Sequence, residues 1–499
     1  MDFTQNLLNG FALAFSLENL GICFLGTLIG TVTGVLPGIG PTAAMALLIP
    51  VSFGLPPTAS LILLAGIYYG AMYGGSTTSI LLNIPGEAAS VVTCIDGYQM
   101  AKKGKAGTAL AVAAIGSWAA GTAAVIGVML FAPPLARFAL LFGPPEYFSI
   151  ALLGLLVLSN LSGGSFSRSS LAMVLGLMLS TMGIDLMSGL TRFTLGFVEL
   201  SDGIEFAPVI MGLFGLSEVF QVITSVEKLS EVLKVKFREL YPKFRELKPA
   251  FGAMIRGTLI GFPVGLLPGP SGTLSSFAAY RLEKTFSKKP EEFGTGVIQG
   301  VAGPESANNS ATTASLIPLF ALGLPFAPPV AILLSGLMIH GISPGPFFIR
   351  DHGNVFWTVI ASMYLGNLML MILNLPLVGV FASLIKTPPR ILMPIITALM
   401  FVGAYSINAR MFDVVILLSF GLFGFLMKKC GFEPAPLIIG LILGKIFEES
   451  LRQGLNVVDG NLWLFFSRPI TAILMCLSLA VFLWGLYKWH AGRKLSRNS

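Results

Sequence analysis

The sequence predicts an all-α polytopic integral membrane protein with broken or re-entrant helices, and three observations support that fold class. The first is composition: 54% of the 499 residues are hydrophobic and only 11% are charged, with a mean hydropathy of +0.82. Soluble globular domains carry charge on roughly a quarter of their residues. The second is a series of long apolar stretches, and the third is an internal repeat rich in glycine and proline.

The apolar stretches recur along the whole chain and lack the alternation that membrane β-strands show. Backbone polar groups in lipid must be satisfied within the protein, so long unbroken apolar runs predict α-helices. We expect about 10–12 membrane helices, some of which need flanking residues to complete a span of about 20 residues. The clearest stretches are Ala109–Phe131, Phe148–Ser159, Leu171–Met182, Val355–Leu375, Ile391–Val402, Val414–Met427 and Ile470–Leu486.

One glycine- and proline-rich phrase occurs twice. GTLIGTVTGVLPGIGPT runs from Gly26 to Thr42, and GTLIGFPVGLLPGPSGT runs from Gly257 to Thr273. Further similar pairs follow in the same order, such as GSTTSILLNIP from Gly75 and NSATTASLIP from Asn309. A duplication of this size predicts two homologous halves, an architecture typical of transporters. The predicted segments are a first transmembrane repeat at 18–225, a linker at 226–249, a second transmembrane repeat at 250–451 and an extra C-terminal transmembrane helix at 468–487.

Positive charges predict opposite orientations for the two halves, because Lys and Arg near helix ends mark the cytoplasmic side. No Lys or Arg precedes Lys102, whereas the corresponding approach to the second half is rich in them. The linker at 226–249 is therefore predicted to be a cytoplasmic amphipathic helix. The same charges predict a periplasmic N-terminus, a cytoplasmic C-terminus and two repeats of inverted topology.

Each half contains two interruptions of its apolar pattern at matching positions. Leu36–Gly38 and Leu267–Gly269 are predicted to end helices, because proline removes a hydrogen-bond donor and glycine accepts non-helical backbone. The second pair of predicted breaks is polar: Gly74–Thr78 with Asn83–Gly86, and Glu305–Thr313. Irregular backbone at membrane depth needs a cavity or surrounding protein, and paired broken helices indicate a substrate site near the midplane.

Helix N-termini and hydroxyl groups at these breaks suit a carboxylate substrate. No Lys or Arg occurs between Lys289 and Arg350, so a bound polyanion would need co-bound cations. A lone glycine or serine more often serves helix packing, and it is the pairing of the clusters that predicts a site. The predicted substrate-binding residues are Gly38, Gly40, Ser76, Thr77, Thr78, Gly269, Ser271, Thr273, Asn309, Ser310, Thr312 and Thr313. The predicted coupling-ion residues, for Na⁺ or a proton, are Asn83, Glu305 and Asn308.

Two acidic residues, Glu87 and Asp96, follow the first polar break. A proton relay is one interpretation. The favoured one is that both are solvated in the loop that leads to Lys102.

Other chemistry has no motif in this sequence. There is no phosphate-binding loop and no G-x-S-x-G elbow, and the four cysteines show neither metal nor disulfide spacing. We therefore predict no enzyme, no catalytic residue, no organic cofactor and no metal other than Na⁺ as coupling ion. A membrane-embedded enzyme would need a nucleophile–base pair that the sequence lacks. A non-transporting scaffold subunit would leave the paired polar clusters unexplained.

Three motifs resemble the large membrane subunit of the bacterial tripartite tricarboxylate transporters over essentially the whole chain. They are YGAMYGGSTTSILLNIPGE (Tyr69–Glu87), GVLPGIGP (Gly34–Pro41) and PESANNSATTASLIP (Pro304–Pro318). The resemblance implies a carrier in the bacterial inner membrane that works with a small transmembrane subunit and a periplasmic solute-binding protein. It implies ion-driven symport of citrate or a related carboxylate, without ATP hydrolysis and without a nucleic-acid partner. Ser306 and Ser310 stand where the family often has alanine, a difference that bears on the choice of carboxylate.

Overall fold

A computed structural model describes residues 3–36, 40–161, 166–185, 187–224, 240–384 and 389–497. These residues are almost entirely helical, and their only strands form a short antiparallel pair, β1 (Gly183–Ile184) and β2 (Thr191–Arg192). The helices of the first half are α1 (Phe3–Ala14), α2 (Leu17–Val35), α3 (Pro41–Phe53), α4 (Pro57–Leu82), α5 (Val91–Met100), α6 (Ala106–Ala139), α7 (Pro144–Leu161), α8 (Phe166–Ser180), α9 (Phe206–Ile210) and α10 (Ser217–Thr224).

The second half is built in the same way from helices joined by short turns. Its helices are α11 (Phe244–Gly265), α12 (Ser271–Phe286), α13 (Gln299–Ala314), α14 (Leu316–Leu322), α15 (Pro328–Ile339), α16 (Phe348–Asp351), α17 (Gly353–Asn374), α18 (Val378–Leu384), α19 (Pro389–Asn408), α20 (Met411–Lys429), α21 (Pro434–Val457), α22 (Leu462–Ser467) and α23 (Pro469–Arg497).

Seven helical segments in the described part of the chain are long and apolar enough to cross a membrane. They confirm the predicted all-α polytopic membrane protein. Four shorter apolar helices accompany them, and the total of about 10–12 membrane helices stays a prediction. The seven segments are Leu17–Val35, Ala88–Ala139, Pro144–Leu161, Phe206–Thr224, Gly353–Asn374, Met411–Lys429 and Pro469–Tyr487.

The helices end at the proline–glycine breaks that the sequence predicts. Helix α2 ends at Val35 and α3 begins at Pro41, and residues 37–39 of the first predicted break lie outside the described residues; the second break lies between α11 and α12. In the second break Gly269 has φ 128°, a backbone conformation that favours glycine. Its N–H donates a hydrogen bond to the backbone oxygen of Phe326 at 2.8 Å, which fixes the break against the α14–α15 turn.

Two of the polar segments that the sequence predicts as breaks are helical, so that part of the prediction is wrong, whereas the predicted break at Asn83–Gly86 is present, because α4 ends at Leu82. Gly74–Thr78 lies inside α4 and Glu305–Thr313 lies inside α13. The chain leaves the helix only later, at Asn83 with φ 61° and, after α14, at Gly323 with φ 72°. Polar side chains need no broken backbone here, because hydroxyls can bond within their own helix, as Ser79 does, and neighbouring helices supply partners to others, such as Glu305 and Asn309.

The repeated GTLIG phrase forms the same helix contact twice. Glycines spaced four residues apart on α2 pack against α4, and equivalent glycines on α11 pack against α13. At each of them a Cβ atom would lie only 2.2–2.7 Å from a backbone oxygen of the facing helix, so glycine permits the close approach. The contacts, glycine first, are Gly26 with Leu63, Gly30 with Ile67, Gly34 with Ala71, Gly257 with Gly303, Gly261 with Ala307 and Gly265 with Ala311. Each phrase therefore holds one polar helix, α4 or α13, beside a proline–glycine break.

The segment boundaries at 18–225, 226–249, 250–451 and 468–487 stay predictions. Residues 225–239 of the linker region lie outside the described residues. Helix α11 already begins at Phe244 and runs without interruption past residue 250. At the other end, the apolar part of α23 spans Pro469–Tyr487.

Candidate functional site

Glu305 lies at the centre of a buried polar cluster and is only 1% exposed. Its carboxylate accepts hydrogen bonds from Ser76 Oγ at 2.6 Å and from Ser117 Oγ at 3.5 Å, and the Thr93 hydroxyl also donates to it. These three residues belong to α4, α6 and α5, so Glu305 of α13 joins the second half of the chain to the first. Among the described residues no ion pair involves Glu305.

Asn309 extends the cluster by one turn of α13. Its Nδ2 donates to Ser117 Oγ at 2.7 Å and to the backbone oxygen of Glu305 at 3.1 Å. The group made of Glu305, Asn309, Ser76, Thr93 and Ser117 is called the Glu305 cluster below. It supplies one carboxylate, one amide and three hydroxyls, and each member is at most 4% exposed. This ligand set suits a small cation or a proton.

A second buried carboxylate, Glu87, lies in the turn after α4. It is 8% exposed, so the prediction that it is solvated is wrong. It accepts the backbone N–H of Ala89 at 2.5 Å, because the chain folds back into a short 3₁₀ helix that Glu87 caps. It also accepts Asn308 Nδ2 at 3.4 Å. A Cβ atom on Gly272 would lie 2.6 Å from Asn308 Oδ1, so the N-terminus of α12 lies against the same part of α13.

Asp96 is fully buried, and the prediction that it is solvated in a loop is wrong as well. Its carboxylate accepts three backbone N–H groups, from Gly294 at 3.0 Å, Gly296 at 2.7 Å and Val297 at 2.8 Å, and the Tyr280 hydroxyl at 2.9 Å. Both glycines have positive φ, 93° and 106°. The connection between α12 and α13 thus wraps around a side chain of α5.

The structure brings some of the predicted site residues together and leaves others apart. Ser76, Glu305 and Asn309 meet in the Glu305 cluster. Asn308 lies beside Glu87, and its Oδ1 accepts the hydroxyl of Thr312 at 3.4 Å. Ser271 begins α12, next to Gly272 at this position. In the described part of the chain, the remaining predicted residues have no hydrogen bond to the Glu305 cluster or to Glu87. Three of them concern the breaks: Gly38 lies outside the described residues, Gly40 precedes α3 and Gly269 forms the second break. Of the other four, Thr77 and Thr313 are buried, Thr273 is half-buried and Asn83 is exposed.

Two hydroxyl residues of the predicted site serve helix packing. Ser310 donates to the backbone oxygen of Thr258 in α11 at 2.9 Å. Thr78 donates to the backbone oxygen of Val35 at 3.3 Å, at the end of α2. Sequence reasoning missed Thr93 and Ser117, because single hydroxyls in apolar helices carry no signal until the fold places them beside Glu305.

A polytopic helical chain whose helices enclose a polar cluster with an unpaired carboxylate has the architecture of a membrane transport protein. The chain belongs to the tripartite tricarboxylate transporter TctA family, which matches residues 20–439. It is therefore a multi-pass membrane transporter subunit of that family, as the resemblance in its motifs implies.

Two proteins of Agrobacterium vitis are similar to this chain. One, named "Uncharacterized 52.8 kDa protein in TAR-I ttuC' 3'region", is 48% identical over 480 residues, which cover 96% of this chain and 95% of the relative. The other, named "Uncharacterized protein in TAR-II ttuC' 3'region", is 45% identical over 216 residues, 43% of this chain and 89% of the relative. No solved structure matches the chain.

Proposed function

We propose that the chain is the large permease subunit of a binding-protein-dependent secondary transporter that takes up tricarboxylates such as citrate, or related carboxylates, by symport with Na⁺ or H⁺. Its partners are a small transmembrane subunit and a periplasmic solute-binding protein. It lies in the bacterial inner membrane with its N-terminus in the periplasm and its C-terminus in the cytoplasm. Family membership supports the transport role.

The burial of Glu305 is the observation that supports cation coupling. Removing one ion from water has an effective cost of several kcal/mol inside a protein. Hydroxyl donors from three helices reduce that cost without neutralising the charge, and no basic side chain pairs with Glu305 in the described residues. A bound Na⁺ or proton neutralises the carboxylate, and a neutralised site no longer repels a substrate anion nearby.

The substrate part of the proposal relies on the two helices that begin after the proline–glycine breaks. Neither α3 nor α12 has a side-chain cap at its N-terminus. Pro41 has no N–H and the N–H of Ser271 donates to the backbone oxygen of Gly269 at 2.8 Å, so the next N–H groups of each first turn, together with the positive dipole ends, are the ones suited to carboxylates. The N-terminus of α12 lies against Asn308, which is adjacent in α13 to Asn309 of the Glu305 cluster. Substrate and coupling cation would then both contact α13, which gives a physical route for their coupling.

Reconstitution of the chain with both partners in vesicles tests the proposal. Uptake of a radiolabelled panel, including citrate, malate, succinate and tartrate, is measured with and without an imposed Na⁺ or proton gradient. We expect accumulation that requires both the binding protein and a cation gradient. Equilibration of the substrate without any gradient would contradict symport.

A matched pair of variants tests the role of Glu305. Glu305→Gln keeps the size of the side chain and one acceptor oxygen but removes the charge, so we expect it to abolish cation-driven accumulation. Glu292→Gln is the control, because Glu292 is 48% exposed and, in the described part of the chain, forms an ion pair with Lys289 alone at 2.7 Å, and such surface pairs contribute about 0–1 kcal/mol. Cation-driven accumulation by Glu305→Gln at the wild-type level would rule out the proposed coupling role.

A further inference from the structure

A small cavity of about 10 Å³ with both polar and apolar walls lies beside the Glu305 cluster, where α4, α6 and α17 meet; Leu110, Ala113 and Ala114 of α6 form its apolar part. Ser76 and Ser117, which both bond to Glu305, form part of its wall. The other polar wall residues are Tyr73 and Thr77 of α4 and Asn374 at the end of α17. A polar cavity of about 10–15 Å³ is just large enough for one water-sized particle. The space therefore fits a single small ion and excludes a carboxylate substrate.

The hydrogen bonds of the wall residues leave oxygen atoms available to the cavity. Asn374 uses Nδ2 to donate to Thr31 Oγ1 at 3.4 Å and to the backbone oxygen of Leu370 at 3.0 Å, so its Oδ1 is the atom left over. Ser76 donates its only proton to Glu305. Ser117 accepts Asn309 Nδ2 and keeps a further lone pair.

Two more oxygens complete the wall. The Tyr73 hydroxyl uses its proton toward Asn367 Oδ1 at 3.5 Å, which leaves its lone pairs unused. The Thr77 hydroxyl makes no hydrogen bond with any described residue. All five polar wall residues are at most 5% exposed, so five oxygen-bearing side chains line a buried space the size of one ion.

We propose that this cavity is the cation site of the transporter and that it binds Na⁺, with oxygens of Tyr73, Ser76, Thr77, Ser117 and Asn374 as ligands. The proposal rests on the proposed function and makes it more specific. Hard cations prefer oxygen ligands, and the charge of Na⁺ compensates the carboxylate of Glu305, which touches two of the ligands. A neutral water molecule in the cavity would leave the negative charge of Glu305 uncompensated. A proton bound to Glu305 would need only one hydrogen-bond acceptor, so it would give no role to the five oxygens of the cavity.

This site differs from the coupling-ion set predicted from the sequence. It keeps Glu305 as the compensating charge but does not use Asn83, which is exposed, or Asn308, which lies beside Glu87. Its ligands come from α4, α6 and α17, while Glu305 comes from α13. Binding of Na⁺ therefore ties four helices together and should stabilise the fold in proportion to Na⁺ occupancy.

Thermal unfolding of the purified full chain in nanodiscs tests the site without any transport. Tryptophan fluorescence is followed in NaCl, KCl and choline chloride at constant ionic strength. We expect the unfolding temperature to rise with Na⁺ in a saturable way and not with K⁺ or choline. The absence of an Na⁺-specific rise in the wild-type chain would overturn the proposal.

Variants of the wall locate the site. Thr77→Val and Ser117→Ala each remove one ligand oxygen, and we expect each to raise the half-saturating Na⁺ concentration by about tenfold or more. Thr77→Ser, which keeps the hydroxyl, should restore the wild-type response. The control is Ser79→Ala, because the Ser79 hydroxyl bonds to the backbone oxygen of Gly75 within α4 and does not line the cavity. A wild-type Na⁺ response in Thr77→Val and Ser117→Ala would place the ion elsewhere and overturn the proposal.

The outcome also separates this proposal from the proposed function. Symport in vesicles together with no Na⁺ effect on unfolding would overturn the cavity site and leave the symporter intact. An Na⁺ response that depends on Thr77 and Ser117, in a chain that moves no carboxylate, would support the cavity site and count against the symporter.

Discussion

Alanine substitutions at two glycines of α2 should have opposite effects on stability, although the helix and the chemical change are the same. A Cβ atom at Gly30 would lie 2.5 Å from the backbone oxygen of Ile67 and 2.8 Å from Cα of Gly70. Carbon–oxygen contacts between helices normally lie at about 3.3–3.6 Å, so α2 and α4 must separate by about 1 Å. A Cβ atom at Gly21 would meet nothing within 4 Å.

The expected magnitudes follow from those contacts. Overpacking of a close-packed interface costs about 1–3 kcal/mol, and the higher helix propensity of alanine offsets about 1 kcal/mol of it. Gly30→Ala should therefore lower the free energy of unfolding by up to about 2 kcal/mol. Gly21→Ala has only the propensity gain and should be neutral or stabilising by up to about 1 kcal/mol.

Thermal inactivation measures this difference directly, because a large membrane protein is often described better by its lifetime than by an equilibrium. The fraction of monodisperse protein is followed by size-exclusion chromatography after incubation at a fixed temperature. We expect a shorter half-life for Gly30→Ala and a half-life at least as long as that of wild type for Gly21→Ala. Equal half-lives for the two variants would refute the close α2–α4 contact.

Two further predictions concern acidic residues outside the Glu305 cluster. Asp96→Asn places an amide donor against backbone N–H groups and should lower the free energy of unfolding by about 2–4 kcal/mol. Tyr280→Phe removes one hydrogen bond to Asp96 and should lower it by about 1 kcal/mol. An unchanged unfolding temperature in Asp96→Asn would show that these bonds do not stabilise the fold. Hydrogen bonds from the Ser188 hydroxyl and the Arg452 guanidinium hold the pKa of Asp185 well below its usual 3.8. Because the pKa of Asp185 is lower in the folded than in the unfolded chain, its carboxylate stabilises the fold above pH 3.8, and this stabilisation is lost as the pH falls toward the folded-state pKa. Thermal unfolding of Asp185→Asn should thus begin below wild type at pH 7 and converge with it below about pH 4, whereas a gap independent of pH would contradict this assignment.

The features that the sequence predicts correctly are those that depend on residues within one segment of the chain. The apolar runs had to become helices, because backbone groups in lipid have no other partners. The breaks after Val35 and Gly265 follow from the proline and glycine in them, which act on their own segment of chain. Glu305 also stood out, since a carboxylate in an apolar sequence needs a partner.

The features that the sequence could not predict depend on contacts between segments that are distant in the chain. Asp96 is buried because backbone N–H groups of Gly294, Gly296 and Val297 reach it, and backbone donors leave no mark in residue types. The polar part of α13 stays helical because neighbouring helices supply partners to Glu305, Asn309 and Ser310. Ser117 looked like one of many small residues until the fold placed it beside Glu305.

The central claim is that a cation neutralises Glu305 during carboxylate uptake. The most direct test compares wild type with Glu305→Gln in vesicles that contain all three components, with radiolabelled Na⁺ and radiolabelled carboxylate influx recorded together. The account predicts that wild type moves both in a fixed ratio and that Glu305→Gln loses Na⁺-driven accumulation of carboxylate. The same fixed ratio and the same accumulation in Glu305→Gln would contradict it.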